Sequence, residues 1–213
     1  MKIAILTSKD QWFIPYAQKL NDTIDKSEIF FDHTNINNTF DIVFILSYHK
    51  IIESKYLNQH NHNIIIHASE LPMGKGWSPM FWQILEGKNK IIFTMFEAMG
   101  AVDNGAIYMK ETLHLTGNEL NKELRDKQAT LTISMCIKFL TNYNEYKNPV
   151  KQVGRESFYK KRTPKDSELD INKSIKEQFN LLRIVDNEHY PAFFYKNNKK
   201  YILQIQEVND EDS

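Results

Sequence analysis

A single cysteine, Cys136, stands among 213 residues, so no disulfide can close within the chain, and a reducing cytoplasm is the expected compartment. Net charge is also missing, because 27 Lys and Arg offset 27 Asp and Glu. A chain without a cationic excess is poorly suited to general nucleic-acid binding, which rests on neutralising phosphates, so no nucleic-acid partner is expected. No apolar run reaches the ~20 residues of a membrane span. Strand-like pattern starts at Ile3, leaving no room for a signal peptide, and no membrane partner is expected. Glycine is absent from Leu6-Thr7-Ser8-Lys9-Asp10, which removes the dinucleotide fingerprint and leaves a nicotinamide or flavin role unsupported. His60 and His62 have no carboxylate or cysteine near them in a ligand pattern, so both read as loop residues and no metal is expected.

What is present is alternation. Short strand-like runs at Lys2–Leu6, Glu28–Phe31, Asp41–Leu46, Asn63–His67 and Ile91–Glu97 alternate with helical ones at Trp12–Asp25, His49–Gln59 and Ser78–Glu86. That is the pattern of a mostly parallel sheet with crossover helices, an α/β class. Thr116-Gly117-Asn118-Glu119 reads as a capping box opening a long helix, whose wide apolar stripe includes Leu124, Met135 and Cys136. Cys136 there is a packed thiol rather than a nucleophile. Asn142–Pro149 reads as a linker. From about Val153 the text becomes polar and basic, then offers a helix at Asn172–Arg183 and two aromatic or aliphatic runs around Asn197-Asn198, a β-hairpin signal. The division is therefore 1–150 for a catalytic domain and 151–213 for a small C-terminal α+β subdomain. The acidic end, Glu207 to Asp212, reads as a solvated tail.

Two ionisable residues sit where open α/β sheets place chemistry. His67 ends the apolar run from Asn63 and opens a Pro/Gly loop, and Asp103 follows the Ile91–Phe96 run in a glycine-flanked loop. An imidazole beside a carboxylate has a fixed tautomer, as proton transfer at neutral pH requires. On spacing alone, a capped core histidine and an Asx-turn aspartate are the favoured reading of the pair.

The surrounding text resembles the N10-formyltetrahydrofolate-dependent formyltransferases, whose signature is Asn-x-His-x-Ser-x-Leu-Pro with a following Gly, then Asp-x-Gly. Here it reads His67-Ala68-Ser69-Glu70-Leu71-Pro72, Gly76 and Asp103-Asn104-Gly105, with Pro79, Trp82 and Gly87 matching the helix that follows. The resemblance implies a Rossmann-like formyltransferase domain and an N-formyltransferase activity using N10-formyltetrahydrofolate as co-substrate. It implies His67 and Asp103 as the catalytic pair and Ser69 and Gly76 at the acceptor. The segment Leu46-Ser47-Tyr48-His49-Lys50-Ile51 resembles the folate segment, so Leu46, Ser47, Tyr48 and Ile51 on one side, with Met99 and Val102 opposite, are expected to hold folate. Tyr48 is equally readable as a rim aromatic.

One position departs: the family's asparagine, which binds the formyl oxygen, falls on Ile65. Losing one oxyanion donor costs about 3–4 kcal/mol, about a hundred- to thousand-fold in rate. Ser69 or a backbone N–H of the Leu71–Gly76 loop is the expected replacement; the alternative is a weak or inactive binding paralogue.

The second half carries its own likeness to the sugar and methionyl-tRNA branches, through Arg162-Thr163-Pro164-Lys165-Asp166, Asn180-Leu181-Leu182-Arg183 and Pro191-Ala192-Phe193. The chain ends soon after, without room for the barrel that the tRNA enzymes add. Together with neutral charge this implies a small-molecule acceptor, an amino sugar or sugar nucleotide for surface glycan biosynthesis. The rival acceptors are a tRNA or a purine-pathway amine. Lys160 and Arg162, with Lys161 between them, are the expected phosphate contacts, although a basic triplet is often plain surface. A homodimer is compatible with the resemblance.

Overall fold

Ile3–Leu6 is four apolar residues without an exposed side chain, which a strand tolerates only when both faces of its sheet are covered. This strand, β1, is flanked by β2 (Ser27–Phe30) and β3 (Ile42–Ile45), both parallel to it, and β4 (His62–His67) runs parallel to β3. The computed structural model describes residues 1–100 and 102–208. Past the two-residue β5 (Lys75–Gly76), β6 (Lys90–Glu97) pairs antiparallel with β4, and β7 (Ile107–His114) antiparallel with β6. The six-stranded order β2-β1-β3-β4-β6-β7 is a mostly parallel, Rossmann-like sheet, as expected.

Helices cover one face: α1 (Ile14–Thr23), α3 (Pro79–Leu85) and α4 (Asn121–Thr141), with α2 (Ser54–Leu57) a single turn before β4. On that face Phe13, Leu20, Phe44, Ile64, Ile84 and Phe139 form one core. The opposite face buries Leu6, Ile36, Phe40, Val43, Ile45 and Leu57. Cys136 is fully buried, and burial pushes its thiol well up, as a packing residue requires.

Several expectations change. The helix read over His49–Gln59 shrinks to Ser54–Leu57, because the chain leaves β3 through Ser47 in the left-handed region (φ 55°) and runs as coil to Glu53. Thr116–Glu119 does not cap α4: Glu119 turns inward, and Glu123 closes onto the Leu120 N–H instead. Asn142–Pro149 is not a linker. It contains α5 (Tyr143–Tyr146), whose Tyr143 hydroxyl lies 2.9 Å from His62 Nε2, while Val150 bridges to Ile107. His62 is accordingly a buried strand residue rather than a loop residue, its other nitrogen 2.8 Å from the Tyr108 hydroxyl.

After Val150 the chain returns to the catalytic half. β8 (Phe158–Tyr159) pairs parallel with β5, and Tyr159 stacks on Trp82. α6 (Ile175–Ile184) starts later than expected, at the cap Ser174, whose hydroxyl accepts from the Glu177 N–H. It delivers Arg183, 0% exposed, to Glu119 and to Asn89 Oδ1. The hairpin is present as β9 (Ala192–Lys196) and β10 (Lys199–Leu203), joined by Asn197 and Asn198 at φ 49° and 61°, the left-handed pair that a tight turn needs. Residues 209–212 of the acidic end lie outside the described residues.

Candidate active site

β4 ends in His67, opposite Thr94 of β6, at the carboxyl edge of the sheet. The His67 Nε2 stands 2.9 Å from the Gly74 carbonyl oxygen. A carbonyl only accepts, so Nε2 carries the proton and Nδ1 is the lone-pair nitrogen of the neutral ring. Asp103 Oδ2 lies 3.7 Å from Nε2, beyond hydrogen-bond length, so the carboxylate acts on the ring through charge rather than through a direct bond. Both side chains are about nine-tenths covered, at 10% and 11% exposure.

Asp103 is held from three sides. Its Oδ2 accepts from the Gly76 N–H at 2.8 Å, and its carbonyl accepts from Gln152 Nε2 at 3.0 Å. Its backbone is left-handed (φ 50°). Gly105 permits the turn: a Cβ there would fall 1.6 Å from the Glu97 carbonyl oxygen, which no side chain survives. Next door, Lys75 is almost fully covered, at 2%, and donates to Asn104 Oδ1 at 3.0 Å and Glu156 Oε1 at 2.6 Å. The sequence offered no signal for this lysine, because its partners lie in two distant segments, at Asn104 and Glu156.

Around Ile65 the choice of oxyanion donor narrows. Ile65 packs on the second core with Tyr48 and Ile52, and offers no hydrogen bond. Asn63, on the same strand face, spends its amide on the Leu57 carbonyl and Glu97. The loop N–H groups are also engaged. Leu71 bonds the Ser69 carbonyl, Met73 that of Glu70, Gly74 the Ser157 hydroxyl, Lys75 the Ser157 carbonyl, and Gly76 Asp103. Backbone donors of Leu71–Gly76 are therefore unavailable. Ser69 differs: 1% exposed, its hydroxyl has no hydrogen-bond partner among the described residues.

The expected folate residues divide. Leu46 is a core side chain whose N–H bonds Leu6. Ser47 forms the left-handed strand exit. The Tyr48 hydroxyl is occupied by His33, 2.8 Å from its Nδ1. Ile51, Met99 and Val102 are apolar and 81%, 60% and 63% exposed, so two loops present bare hydrocarbon at the sheet edge. Such faces suit a flat heterocycle.

The basic triplet also divides, against expectation. Lys160 Nζ pairs with Asp166 Oδ1 at 3.0 Å, and Arg162 Nη2 donates to the Asp166 carbonyl at 3.1 Å, both beside Trp82. Lys161 alternates to the other side, 4.9 Å above the Trp77 ring.

A Rossmann-like sheet carrying an imidazole–carboxylate pair on a glycine-bounded loop at its carboxyl edge is the build of a group-transfer domain. The formyl transferase family model matches residues 18–140, and the chain belongs to that family. It is 26% identical over 176 residues to the methionyl-tRNA formyltransferase of Clostridium beijerinckii, an alignment covering 81% of this chain and 57% of that protein. The chain thus spans about half the length of the curated relatives it matches. Among solved structures, the methionyl-tRNA formyltransferase from Clostridium thermocellum superposes with a TM-score of 0.82 at 20% identity, covering 99% of this chain and 95% of that one. A sugar N-formyltransferase from Shewanella sp. FDAARGOS_354 gives 0.69 at 14% identity, covering 98% of this chain and 100% of that one. At these identities the two structures speak for the fold.

Proposed function

We propose that the protein moves a formyl group from N10-formyltetrahydrofolate to the amine of an amino sugar, one carried on a nucleotide. The observation that carries this reading is the His67–Asp103 pair, with Asp103 tied to the Gly76 N–H, inside a family-matched domain. N10-formyltetrahydrofolate supplies the activated formyl carbon. Ile51, Met99 and Val102 offer hydrocarbon to its flat ring. As the amine nitrogen bonds to the formyl carbon and the carbon–N10 bond breaks, the amine must lose a proton. His67 Nδ1 takes it, the Asp103 charge stabilises the resulting imidazolium, and the imidazolium returns the proton to N10 of the departing tetrahydrofolate. Ser69 is the donor assigned to the formyl oxygen in place of the family's asparagine. The balance of 27 cationic and 27 anionic residues favours a small acceptor over a polyanion.

The test is to supply N10-formyltetrahydrofolate with a panel of amino-sugar nucleotides and detect the formylated product by mass. Product with the wild type and none with His67→Ala is expected; wild-type-like formylation by His67→Ala ends the mechanism. A second reading, a methionyl-tRNA acceptor, is favoured by the likeness to the methionyl-tRNA formyltransferase of Clostridium beijerinckii. Charged initiator tRNA in the same assay separates the two.

A further inference from the structure

Among the described residues, neither Lys161 nor Arg162 has a carboxylate within ion-pair distance, but Arg162 donates to the Asp166 carbonyl and Lys160 pairs with its carboxylate, so Lys161 is the cation of the triplet turned away from Asp166. Its Nζ lies over Trp77, which is 43% exposed and directly follows the Gly76 that anchors Asp103. Trp77 stands 6.2 Å from the His49 ring, tilted by 33°, so two aromatic rings and a cation form one surface beside the catalytic pair. The surface continues. The His49 N–H donates to Ser8 Oγ, and Ser8, Tyr48 and Lys50 all line an open cavity of about 440 Å³ at the carboxyl ends of β1, β2 and β3. Open α/β sheets bind ligands at such edges. Inside the cavity Lys50 is neutralised by Asp32 at 2.6 Å, whereas Lys9 has no carboxylate partner among the described residues.

We infer that Trp77, His49 and Lys161, with Lys9 in the adjoining cavity, form the acceptor subsite, and that it takes a diphosphate joined to a ring: Trp77 is the stacking platform, and the two lysines meet the phosphates. This rests on the amino-sugar reading of the same site. Chemistry and position both support it. One unneutralised ammonium lies over an exposed indole and a second lines the adjoining cavity, a combination that suits phosphates and a flat ring. The bare hydrocarbon suited to folate lies at Ile51, two residues beyond His49 on the same loop, and at Met99 and Val102 on another.

Calorimetric titration with uridine diphosphate, thymidine diphosphate and tetrahydrofolate tests it, using the wild type, Lys161→Gln, Trp77→Ala and the exposed control Lys165→Gln. Both test residues are exposed, and circular dichroism checks that the fold is kept. A nucleoside diphosphate should bind the wild type, and Lys161→Gln and Trp77→Ala should each weaken it at least about tenfold, or about 1.4 kcal/mol. Tetrahydrofolate affinity should stay unchanged in Lys161→Gln, and Lys165→Gln should behave as wild type. Failure of every nucleoside diphosphate to bind the wild type would overturn the inference. So would a Lys161→Gln loss confined to tetrahydrofolate, which would assign the cation to the glutamyl carboxylates of folate. Formyl transfer is read separately. Diphosphate binding that depends on Lys161 without formylation of any amino sugar sinks the proposed function and leaves the subsite. Formylation of an amino-sugar nucleotide with a KM indifferent to Lys161→Gln sinks the subsite and leaves the function.

Discussion

The Gly76 N–H donates to Asp103 Oδ2 at 2.8 Å, from a backbone at φ +94° pressed so closely on Tyr159 that a Cβ would stand 2.5 Å from its carbonyl oxygen. One glycine thus joins the catalytic loop to β8 and sets the carboxylate opposite His67. Gly76→Ala should therefore lose stability and activity together. A useful comparison is Gly87, also left-handed at φ +84° but with nothing within 4 Å of its missing Cβ. Gly87→Ala should cost only the backbone strain, about 1–2 kcal/mol, and keep kcat. Gly76→Ala should cost about 3 kcal/mol or more and reduce kcat by two orders of magnitude. Denaturant melts and turnover of both proteins decide it; equal behaviour would remove Gly76 from the positioning of Asp103.

Lys75 is the second support. Its ammonium bridges Asn104, next to Asp103, and Glu156, on the segment that returns over the site. Lys75→Met keeps the buried stem and deletes the charge. Glu156 is half exposed and can be rehydrated, so the expected loss of stability is only about 1–2 kcal/mol. The larger effect should fall on kcat, with substrate KM values little changed, because the lysine acts by fixing the Asp103 loop. A kcat equal to wild type would make Lys75 a purely structural cation.

These supports mark how far the sequence could be read. Every strand of the parallel half was legible to within one residue at each end, because fully buried apolar runs such as Ile3–Leu6 carry their own signature. His67, Asp103 and Gly76 were legible because their motif is local. Helix α2 was overdrawn because the left-handed Ser47 redirects the chain, which runs as coil to Glu53 before one helical turn forms. Glu119 fitted a capping pattern, yet its partner Arg183 is brought in by tertiary packing that no local pattern announces. Lys161 was passed over for its neighbours because the Asp166 contacts that turn Lys160 and Arg162 away from Trp77 are not announced by local charge.

The Glu119–Arg183 pair makes a pH prediction. Burial by itself would raise the Glu119 carboxyl. The N–H groups of Thr116, of Glu119 itself and of Gly117, then Lys127, outweigh it and bring the carboxyl down from 4.5 to about 2. A depressed carboxylate contributes stability that is complete above the unfolded value near 4.5 and is lost as pH falls towards 2. The shift is equivalent to about 3 kcal/mol. Glu119→Gln should be destabilised at pH 7, since it leaves the buried Arg183 uncompensated. Its stability should also fall less steeply than wild type between pH 4.5 and 2. Parallel slopes in that window would show that other carboxylates carry the acid sensitivity.

The last prediction concerns Ile65, where the family's formyl-oxygen donor is missing. Asn63 and the loop N–H groups are already bonded, which leaves the partnerless Ser69 hydroxyl. If Ser69 has taken the role, Ser69→Ala should lower kcat by about one to three orders of magnitude, roughly 1.4 kcal/mol per tenfold, with little effect on stability. Ile65→Asn should then raise kcat less than tenfold. It should also destabilise the protein by about 1–3 kcal/mol, because an amide would enter an apolar cluster formed with Tyr48 and Ile52. The opposite pattern is equally definite. If Ser69→Ala is silent and Ile65→Asn accelerates turnover a hundredfold, the site has lost its donor and the serine never replaced it. Measuring formyl transfer by both variants on the same amino sugar separates the two. A retained site is the expected result, because Asp103 still holds its carboxylate on the Gly76 N–H and beside His67.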